Sequence, residues 1–301
     1  MRIFLNGPYS QSLSGIVHGE GDEVVEGYAG AELAIVDDMA TDTQCPVVNG
    51  QWQMPVLIAQ SINLTIKPTL RPDFYVSRWL DGELSPQLLL SIPLDHLMNE
   101  DLGAECRVGM GARYVQSQIL DELYTPALVS FLTSMPYSGF VTLGLSLVMD
   151  TDKPFTLCTI ATGLPELCLY NVVEGIKGKV SDFFSGQSTV LQESWTLSLL
   201  LSRAPYPYAM DADRAFIKGL KPDLEKHFFL LDASRYKSSC YTLSTRIGVA
   251  SAWALSLAEV NRRVLRTLRA ISLLGKQYRT DAASALSLVV HGLQGRGLLG
   301  D

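Results

Sequence analysis

Short apolar segments, separated by glycine, proline or aspartate, dominate this sequence of 301 residues. Segments of strand length that end in such residues are typical of β-strands joined by turns. Asp81-Gly82, between two such segments, indicates a hairpin. The chain must therefore build its core mainly around sheets. The pattern predicts strands at residues 2–6, 31–38, 54–59, 73–80, 87–94, 139–149, 154–160, 195–207, 227–234, 239–244 and 246–254.

Helical spacing of apolar residues is confined to three segments, residues 116–135, 167–186 and 257–273. The last of these predicts a strongly amphipathic helix, and the tail that follows, residues 292–301, is expected to be frayed. The strand–turn–strand order near the N-terminus indicates a trimmed α/β unit. A full nucleotide-binding domain is not expected there, because neither a G-x-G-x-x-G motif nor a P-loop occurs.

The charge balance bears on which partners the chain can bind. The formal net charge is −7, which excludes a general affinity for nucleic acid because phosphate binding needs a basic face. Four arginines are spaced along one side of the last predicted helix, where a solvated face is expected and an anion-binding stripe is the alternative. No apolar run has the length of a membrane helix, and the N-terminus does not resemble a signal peptide. The four arginines are Arg262, Arg263, Arg266 and Arg269.

The cysteines and histidines do not form a metal-binding or disulfide pattern. Five cysteines occur without a C-x-x-C pair, and four histidines are far apart in the sequence. Cys158, Cys168 and Cys240 lie in apolar surroundings that predict buried thiols. These features predict a protein of the reducing cytoplasm without a metal site.

Six short sequence motifs carry a resemblance to a known family. They are WLDG (79–82), DH (95–96), GMGA (109–112), YSGFVTLG (137–144), GLPE (163–166) and YRTD (278–281). In this order and spacing, the chain resembles phosphoribosylamine–glycine ligase, an ATP-grasp enzyme of purine biosynthesis. The resemblance covers roughly residues 75–285.

The resemblance implies an α+β fold in three parts. Residues 1–72 would form a trimmed N-terminal α/β region, and residues 73–190 would form the second half of an ATP-grasp domain. Residues 191–301 would form a small β-rich C-terminal domain that carries the long terminal helix.

The resemblance also names candidate ligand-binding residues. In the family, a glycine-rich loop presents backbone N–H groups to the substrate, and here Gly109, Gly111 and Ala112 match it. A tight turn between a strand and a helix would need the same glycines and is the alternative. Asp95 and His96 match an aspartate and a histidine of the family. Neighbours on a strand point to opposite faces, so a local hydrogen bond is the expected role of His96. Arg246 matches a family arginine in the C-terminal part.

The segment 153–166 departs from the family where the resemblance places the Mg²⁺ ligands. In the family a glutamate and an asparagine hold Mg²⁺, which needs hard oxygen ligands, usually including a carboxylate, whereas a leucine cannot ligate a metal. Glu166 is retained and could simply begin a helix. The family's glutamate, asparagine, arginine and aspartate correspond here to Leu157, Thr159, Ala161 and Leu164.

At other positions, too, this chain lacks the charged side chains of the family. A glutamate pair is replaced by Ser77 and Arg78, and a basic pair is replaced by Leu97 and Met98. Lys67 is the one lysine before WLDG, and no glycine-rich phosphate cover is recognisable there. A complete ATP clamp is therefore not expected, since phosphoryl transfer depends on positioning and charge stabilisation.

The sequence leads to a shrunken and diverged family member that acts by binding, as a pseudoenzyme without cofactors. Its ligand would be a phosphorylated sugar or nucleoside-like molecule, or a protein partner, and a homo-oligomer would fit the apolar composition. A compact derivative of this kind is compatible with a viral origin. The alternative is an active ATP- and Mg²⁺-dependent ligase or amino-acid transferase, or one subunit of a complex that supplies the missing half. Under the enzyme hypothesis the candidate catalytic residues are Glu166, Arg246, Asp150, Asp152 and Lys153.

Overall fold

The computed structural model describes most of the chain from residue 71 onward and short strands before it. Lys67 and the candidates Asp150, Asp152 and Lys153 lie outside the described residues. The helix predicted at 116–135 is described at 116–124, 128–129 and 132–133, and its first helical part covers only Gln118–Asp121, so a helix that is continuous from residue 116 is wrong. The described ranges are 2–6, 23–25, 33–36, 47–48, 51–52, 56–57, 63–65, 71–124, 128–129, 132–133, 138–147, 155–184, 190–191, 193–236 and 239–299.

The predicted apolar segments of the first half are strands in the structure, whereas the long strand at Glu105–Val115 was not predicted. Each predicted segment up to residue 160 contains a strand, and the hairpin turn at Gly82 has a φ of +72°, which glycine adopts without strain. The strands are β1 (Arg2–Asn6), β2 (Glu23–Val25), β3 (Leu33–Val36), β4 (Val47–Val48), β5 (Gln51–Trp52), β6 (Val56–Leu57), β7 (Asn63–Thr65), β8 (Phe74–Asp81), β9 (Glu83–Leu84), β10 (Leu88–His96), β11 (Glu105–Val115), β12 (Ser138–Leu147) and β13 (Phe155–Thr162).

The second half continues with further strands and the longer helices. A 3₁₀ turn at Asn99–Asp101 joins β10 to β11. The remaining strands are β14 (Ile176–Lys177), β15 (Val190–Leu191), β16 (Trp195–Arg203), β17 (Phe216–Ile217), β18 (Phe228–Leu230), β19 (Ala233–Tyr236), β20 (Ser239–Thr242), β21 (Arg246–Ala254) and β22 (Lys276–Gln277). The helices are α1 (Gln118–Asp121), α2 (Cys168–Gly175), α3 (Val180–Phe184), α4 (Pro222–Glu225), α5 (Leu257–Ala270) and α6 (Ala282–Gln294).

One large mixed sheet organises the described part of the chain. Its main path runs β18-β21-β16-β11-β10-β8-β12-β6-β3-β1-β2. The first strands, β1, β2, β3 and β6, pair in parallel, whereas β8 to β21 pair antiparallel along this path. The predicted α+β class is confirmed, with a parallel N-terminal strand set and an antiparallel remainder.

The sheet crosses the sequence position where a domain boundary is predicted. In β11, Gly111 pairs with Leu197 of β16, which lies beyond residue 190. The first apolar core likewise combines side chains from Phe74 through Leu298. The parts before and after residue 190 therefore share one sheet and one core.

Two apolar layers cover opposite faces of the sheet. Alternate residues of β10 separate between them, since Leu90 and Ile92 join the first layer and Leu89 joins the second. Helices α5 and α6 cover the first layer, while α2 covers the second through Leu167 and Tyr170. Each fully buried leucine contributes about 1.5–3 kcal/mol to the stability. The buried thiols predicted at three positions are confirmed: Cys158, Cys168 and Cys240.

The segment predicted as one helix over 167–186 is divided into two. Helix α2 ends at Gly175, Ile176 takes an extended conformation, and Gly178 has a φ of +140°. A φ in this range interrupts a right-handed helix and suits glycine. The prediction of one continuous helix is therefore wrong, and β14 separates α2 from α3.

The C-terminal end is ordered by a helix that the sequence prediction missed. In α6, Ala282, Leu286 and Leu293 are buried at helical spacing, and Leu298 beyond it is fully buried. The expectation of a frayed tail is wrong for the described residues up to 299. The preceding helix, α5, is confirmed, and the hydroxyl of Ser256 caps it by accepting a hydrogen bond from the Glu259 amide. No helix in the described ranges is long and apolar enough to cross a bilayer.

Candidate functional site

A cluster of polar and charged side chains lies at one end of the sheet, where several strands begin or end. Asp95 ends β10, Cys106 and Arg107 begin β11, and Arg246 begins β21. Two residues from connections complete the cluster, Glu166 after β13 and Tyr206 after β16. Because β10, β11, β16 and β21 are neighbours in one sheet, residues distant in sequence meet here.

Asp95 and Arg107 form an ion pair across the β10–β11 hairpin. Arg107 donates hydrogen bonds from Nε and Nη2 to the Asp95 carboxylate, and Nη2 also donates to the Tyr75 hydroxyl at 3.2 Å. The Arg107 side chain is only 14% exposed. Burial alone would lower the pKa of Arg107, but Tyr75 and Asp95 raise it. The Arg107 guanidinium therefore stays charged although it is largely buried.

Arg246 and Glu166 form a second ion pair beside the first. Arg246 Nη2 donates to Glu166 Oε1 at 2.7 Å, with the two side chains 27% and 44% exposed. The Arg246 backbone amide donates to the Ser244 hydroxyl, which in turn donates to Asp232. The pair is thus fixed at the base of β21 and remains open to solvent at its tip.

Cys106 and Tyr206 lie between the two ion pairs. Burial raises the pKa of the Cys106 thiol, a hydrogen bond with Tyr206 lowers it, and Asp95 and Glu166 raise it further. Burial is also the main cause that raises the pKa of the Tyr206 hydroxyl. Both groups therefore stay protonated and uncharged at neutral pH and act as neutral hydrogen-bonding groups. The protonated Cys106 thiol is a poor nucleophile.

The predicted glycine-rich loop is a strand in the structure. Gly109, Gly111 and Ala112 lie inside β11, where they pair with β10 on one side and with β16 on the other. A Cβ at Gly111 would lie 2.6 Å from Leu286 Cδ1, so glycine is required by packing against α6. Both the loop and the turn interpretations are wrong, because the backbone groups of these residues belong to the sheet. A ligand-binding role for them stays a prediction.

The other predicted pair, Asp95 and His96, is separated by the hairpin geometry. Asp95 turns to Arg107, whereas His96 lies at an irregularity in the β10–β11 register opposite Glu105. The His96 Nδ1 is buried without a hydrogen-bond partner among the described residues. Asp95 therefore pairs with Arg107 across the hairpin, and the local hydrogen bond expected for His96 stays a prediction.

The strand matched to the family's metal-binding strand is β13. Ala161 and Leu164 are both 4% exposed, and Leu164 belongs to the second apolar layer. At residue 157 the backbone pairs with Leu145. Ala161 and Leu164 place buried hydrocarbon where the family has an arginine and an aspartate. Residue 157, matched to a metal-holding glutamate, is a leucine and offers no oxygen atom to Mg²⁺, so these residues do not fit the family's Mg²⁺–nucleotide site. Within the described ranges, no three His, Cys, Asp or Glu side chains form a group that could hold a metal ion.

Hydroxyl groups next to β13 bond to one another and to the backbone. The Ser77 hydroxyl hydrogen-bonds with Thr142 Oγ1 at 2.7 Å, and Thr142 Oγ1 donates to the Gly163 carbonyl at 2.6 Å. Arg78, the second residue at the family's glutamate pair, contacts Asp121 at 3.2 Å. These contacts hold β8, β12 and the 163–166 turn together and give Ser77 and Arg78 structural roles.

The remaining predicted candidates are either outside the described residues or on helix α5. Asp150, Asp152 and Lys153 lie outside the described residues. On α5, Arg262 is 66% exposed and pairs with Glu259, while Arg263 stacks on Trp253 at 5.4 Å. The solvated helix face expected for these arginines matches their contacts.

Sequence reasoning missed three members of the cluster, Cys106, Arg107 and Tyr206. The available signal was the opposite charge of Asp95 and Arg107 on the two arms of a short hairpin. Recognising it requires the register between β10 and β11, which contains an irregularity between Leu94 and His96. Tyr206 gives no local signal, since it reaches the cluster through the position of β16.

Comparison with known proteins identifies the fold. No family model and no curated protein matches the sequence. The structure is similar to phosphoribosylamine–glycine ligase from Thermotoga maritima, with a TM-score of 0.51 and 18% identity over 70% of this chain and 56% of that chain.

Two further solved structures are similar at lower scores. Rhizobium etli pyruvate carboxylase has a TM-score of 0.46 and 16% identity, over 73% of this chain and 20% of that chain. The biotin carboxylase domain of Hydrogenobacter thermophilus 2-oxoglutarate carboxylase has a TM-score of 0.43 and 12% identity, over 73% and 53%. The chain therefore spans little more than half of the first solved structure, and the likeness establishes the ATP-grasp fold.

Proposed function

We propose that this protein is a diverged relative of the phosphoribosylamine–glycine ligases that binds a phosphorylated sugar or nucleoside-like ligand without ATP-dependent ligation. The observation that carries the proposal is a contrast between family residues that are retained and family residues that are replaced. Three of the predicted site residues, Asp95, Glu166 and Arg246, meet in one polar cluster. On β13 and the turn after it, Ala161 and Leu164 replace the family's arginine and aspartate and are buried, and Leu157 replaces its metal-holding glutamate.

The chemistry of the cluster supports an anionic ligand. A guanidinium has five N–H donors in a planar arrangement that suits phosphate oxygens. Glu166 orients Arg246 at the protein surface, and Asp95 and Tyr75 orient Arg107 behind it. The neutral Tyr206 hydroxyl adds a hydrogen-bond donor suited to a phosphate or sugar oxygen.

The absence of ligation in this proposal follows from residue identity. Phosphoryl transfer from ATP requires positioned cations and metal-holding carboxylates around the phosphates. The position matched to the family's arginine is Ala161, and the position matched to its aspartate is Leu164. Hydrocarbon at both positions removes a charge that the transition state would need.

Isothermal titration with ribose 5-phosphate, AMP and ATP·Mg²⁺ tests the proposal. We expect binding of ribose 5-phosphate or AMP without added Mg²⁺, weakened about tenfold or more in Arg246→Gln, because a charge-assisted hydrogen bond contributes about 1.5–3 kcal/mol. Arg262→Gln is the matched control, since that arginine is exposed and pairs with a glutamate far from the cluster.

Two outcomes would contradict the proposal. Equal binding by wild type and Arg246→Gln would remove the cluster as the ligand site. Tight, Mg²⁺-dependent ATP binding with phosphate release in the presence of phosphoribosylamine and glycine would establish the ligase alternative.

A further inference from the structure

A patch of exposed aromatic residues covers the outer face of the small sheet β17-β20-β19. Phe216 is 67% exposed and Tyr236 is 64% exposed. Phe216 pairs with Tyr241, so these two side chains lie side by side on the same face. Arg214 stacks over the Tyr241 ring at 5.4 Å. We call Arg214, Phe216, Tyr236 and Tyr241 the aromatic patch.

The aromatic patch is shaped as a shallow cleft. A cleft of about 440 Å³ lies between its four residues, together with Ala215 and Ser239. Large exposed apolar side chains are uncommon on monomeric proteins when they are contiguous, and they mark interaction sites. Tyrosine, phenylalanine and arginine are also the residue types enriched in protein–protein interfaces.

Hydrogen bonds fix the segment that leads into the patch. The Thr242 amide donates to the Ala215 carbonyl at 2.9 Å, and the Ala215 amide donates to Thr242 Oγ1 at 3.0 Å. Arg203 donates to the Asp213 carbonyl at 2.6 Å. The backbone of 213–215 is therefore held against β20, which presents the patch in one conformation and lowers the entropic cost of association.

The surface beside the aromatic patch carries both signs of charge, so it can pair with a second copy of itself. Asp211, Asp213 and Arg214 are exposed, and none of the three forms an ion pair within the described residues. In an interface with two-fold symmetry, the same surface faces itself, so each subunit must offer both members of every contact. A patch that carries two carboxylates and one guanidinium within four residues meets this requirement.

We infer that the aromatic patch is the contact surface between two copies of this chain, in which Arg214 of each copy faces Asp211 and Asp213 of the other. The aromatic rings of Phe216 and Tyr236 form the apolar centre of this contact, and the charges form its rim. The inference does not depend on the proposed ligand, because it uses none of the residues of the Glu166–Arg246 cluster.

Sedimentation velocity over a wide range of protein concentration tests the inference. We expect a concentration-dependent dimer of the full chain, and we expect Phe216→Ser to raise the dimer dissociation constant about tenfold or more, as for a central aromatic residue of an interface. Leu255→Ser is the control, because Leu255 is 87% exposed, follows the C-terminal end of β21 and is not part of the aromatic patch. A monomer at every concentration, or a dimer unchanged in Phe216→Ser, would overturn the inference.

A charge-exchange experiment separates a specific contact from loss of folding. Arg214→Asp alone and the double variant Asp211→Arg/Asp213→Arg alone are each expected to sediment as monomers, because like charges then face each other. Their equimolar mixture is expected to form a heterodimer, since each arginine again faces an aspartate. Failure of the mixture to associate, with both variants folded by circular dichroism, would contradict the proposed pairing.

Discussion

Glu166 Oε1 accepts a hydrogen bond from Arg246 Nη2 at 2.7 Å, and the two residues are separated by 80 positions in the sequence. The pair joins the turn after β13 to the start of β21, two strands that do not neighbour each other in the sheet. Both side chains are partly exposed. The pair therefore connects distant parts of the fold through a contact that solvent can reach.

The first prediction concerns how much this ion pair stabilises the fold. Because solvent screens a partly exposed pair, a double-mutant cycle with Glu166→Gln and Arg246→Gln should give a coupling energy of about 0.2–1 kcal/mol. Urea denaturation of the four proteins measures it. A coupling of several kcal/mol would mean that the pair is a structural element, and the ligand role of Arg246 would lose its main support.

A second prediction follows from the glycine at position 111. A methyl group there would approach Leu286, which is fully buried between β11 and α6, to 2.6 Å. Gly111→Ala should therefore lower the free energy of unfolding by about 1–3 kcal/mol through overpacking. The double variant Gly111→Ala/Leu286→Ala should be less destabilised than the sum of the two single changes, which urea denaturation can determine. Additive effects would show that the two residues do not compete for the same space.

A third prediction concerns the buried guanidinium of Arg279. Its side chain is fully buried, and it donates to Asp281 Oδ1 at 2.6 Å and to Asp101 Oδ1 at 2.7 Å. The Glu100 amide also donates to Asp281, so this contact attaches the β10–β11 connection to the start of α6. Arg279→Gln should lower the free energy of unfolding by about 2–4 kcal/mol. This is somewhat less than the cost of breaking a fully buried ion pair, because one partner, Asp101, is exposed. The exposed Arg262→Gln should change it by less than about 0.5 kcal/mol.

The fourth prediction is a pH dependence at His227. Its Nδ1 lies 2.9 Å from Glu174 Oε1, and this hydrogen bond raises the pKa of His227 although burial opposes it. A raised pKa in the folded state means that the contribution to stability is complete below the unfolded value of about 6.5 and is lost as the pH rises through the folded value. The lysine and arginine neighbours Lys226 and Arg263 reduce the effect.

The measurement for His227 is urea denaturation of wild type and His227→Gln at several pH values between about 5.5 and 8.5, a range that brackets the histidine titration. The wild-type advantage should be largest at the acidic end and smallest at the alkaline end. A difference that stays constant, or that grows toward alkaline pH, would contradict the raised pKa.

Many of the longer strands were predictable from the sequence because local patterns determine them. Apolar segments bounded by Gly82 or by prolines follow the two-residue period of a sheet and the punctuation of turns. The register between strands is not local, and it decides which side chains meet. The strand β11, which carries Cys106 and Arg107, was not predicted, and the approach of these residues to Asp95 and Glu166 could not be read from the sequence.

Glycine was the residue most easily misinterpreted. In Gly109 and Gly111 the family resemblance favoured a ligand loop, whereas the structure requires small residues because Leu199 and Leu286 fill the adjacent space. The cause lies in side chains more than eighty residues away along the chain, as the separation between Gly111 and Leu286 shows. Helix α6 was missed although its buried residues Ala282, Leu286 and Leu293 lie at helical spacing.

The pairing of β11 with β16 has a consequence for the order of events on the ribosome. β11 emerges with β10 as a finished hairpin, but its other edge has no partner until Trp195–Arg203 has been synthesised. An open strand edge is a template for pairing with other chains. The nascent protein thus exposes its future central strand during the translation of β12, β13 and α2, and that interval is when a chaperone would have most to protect.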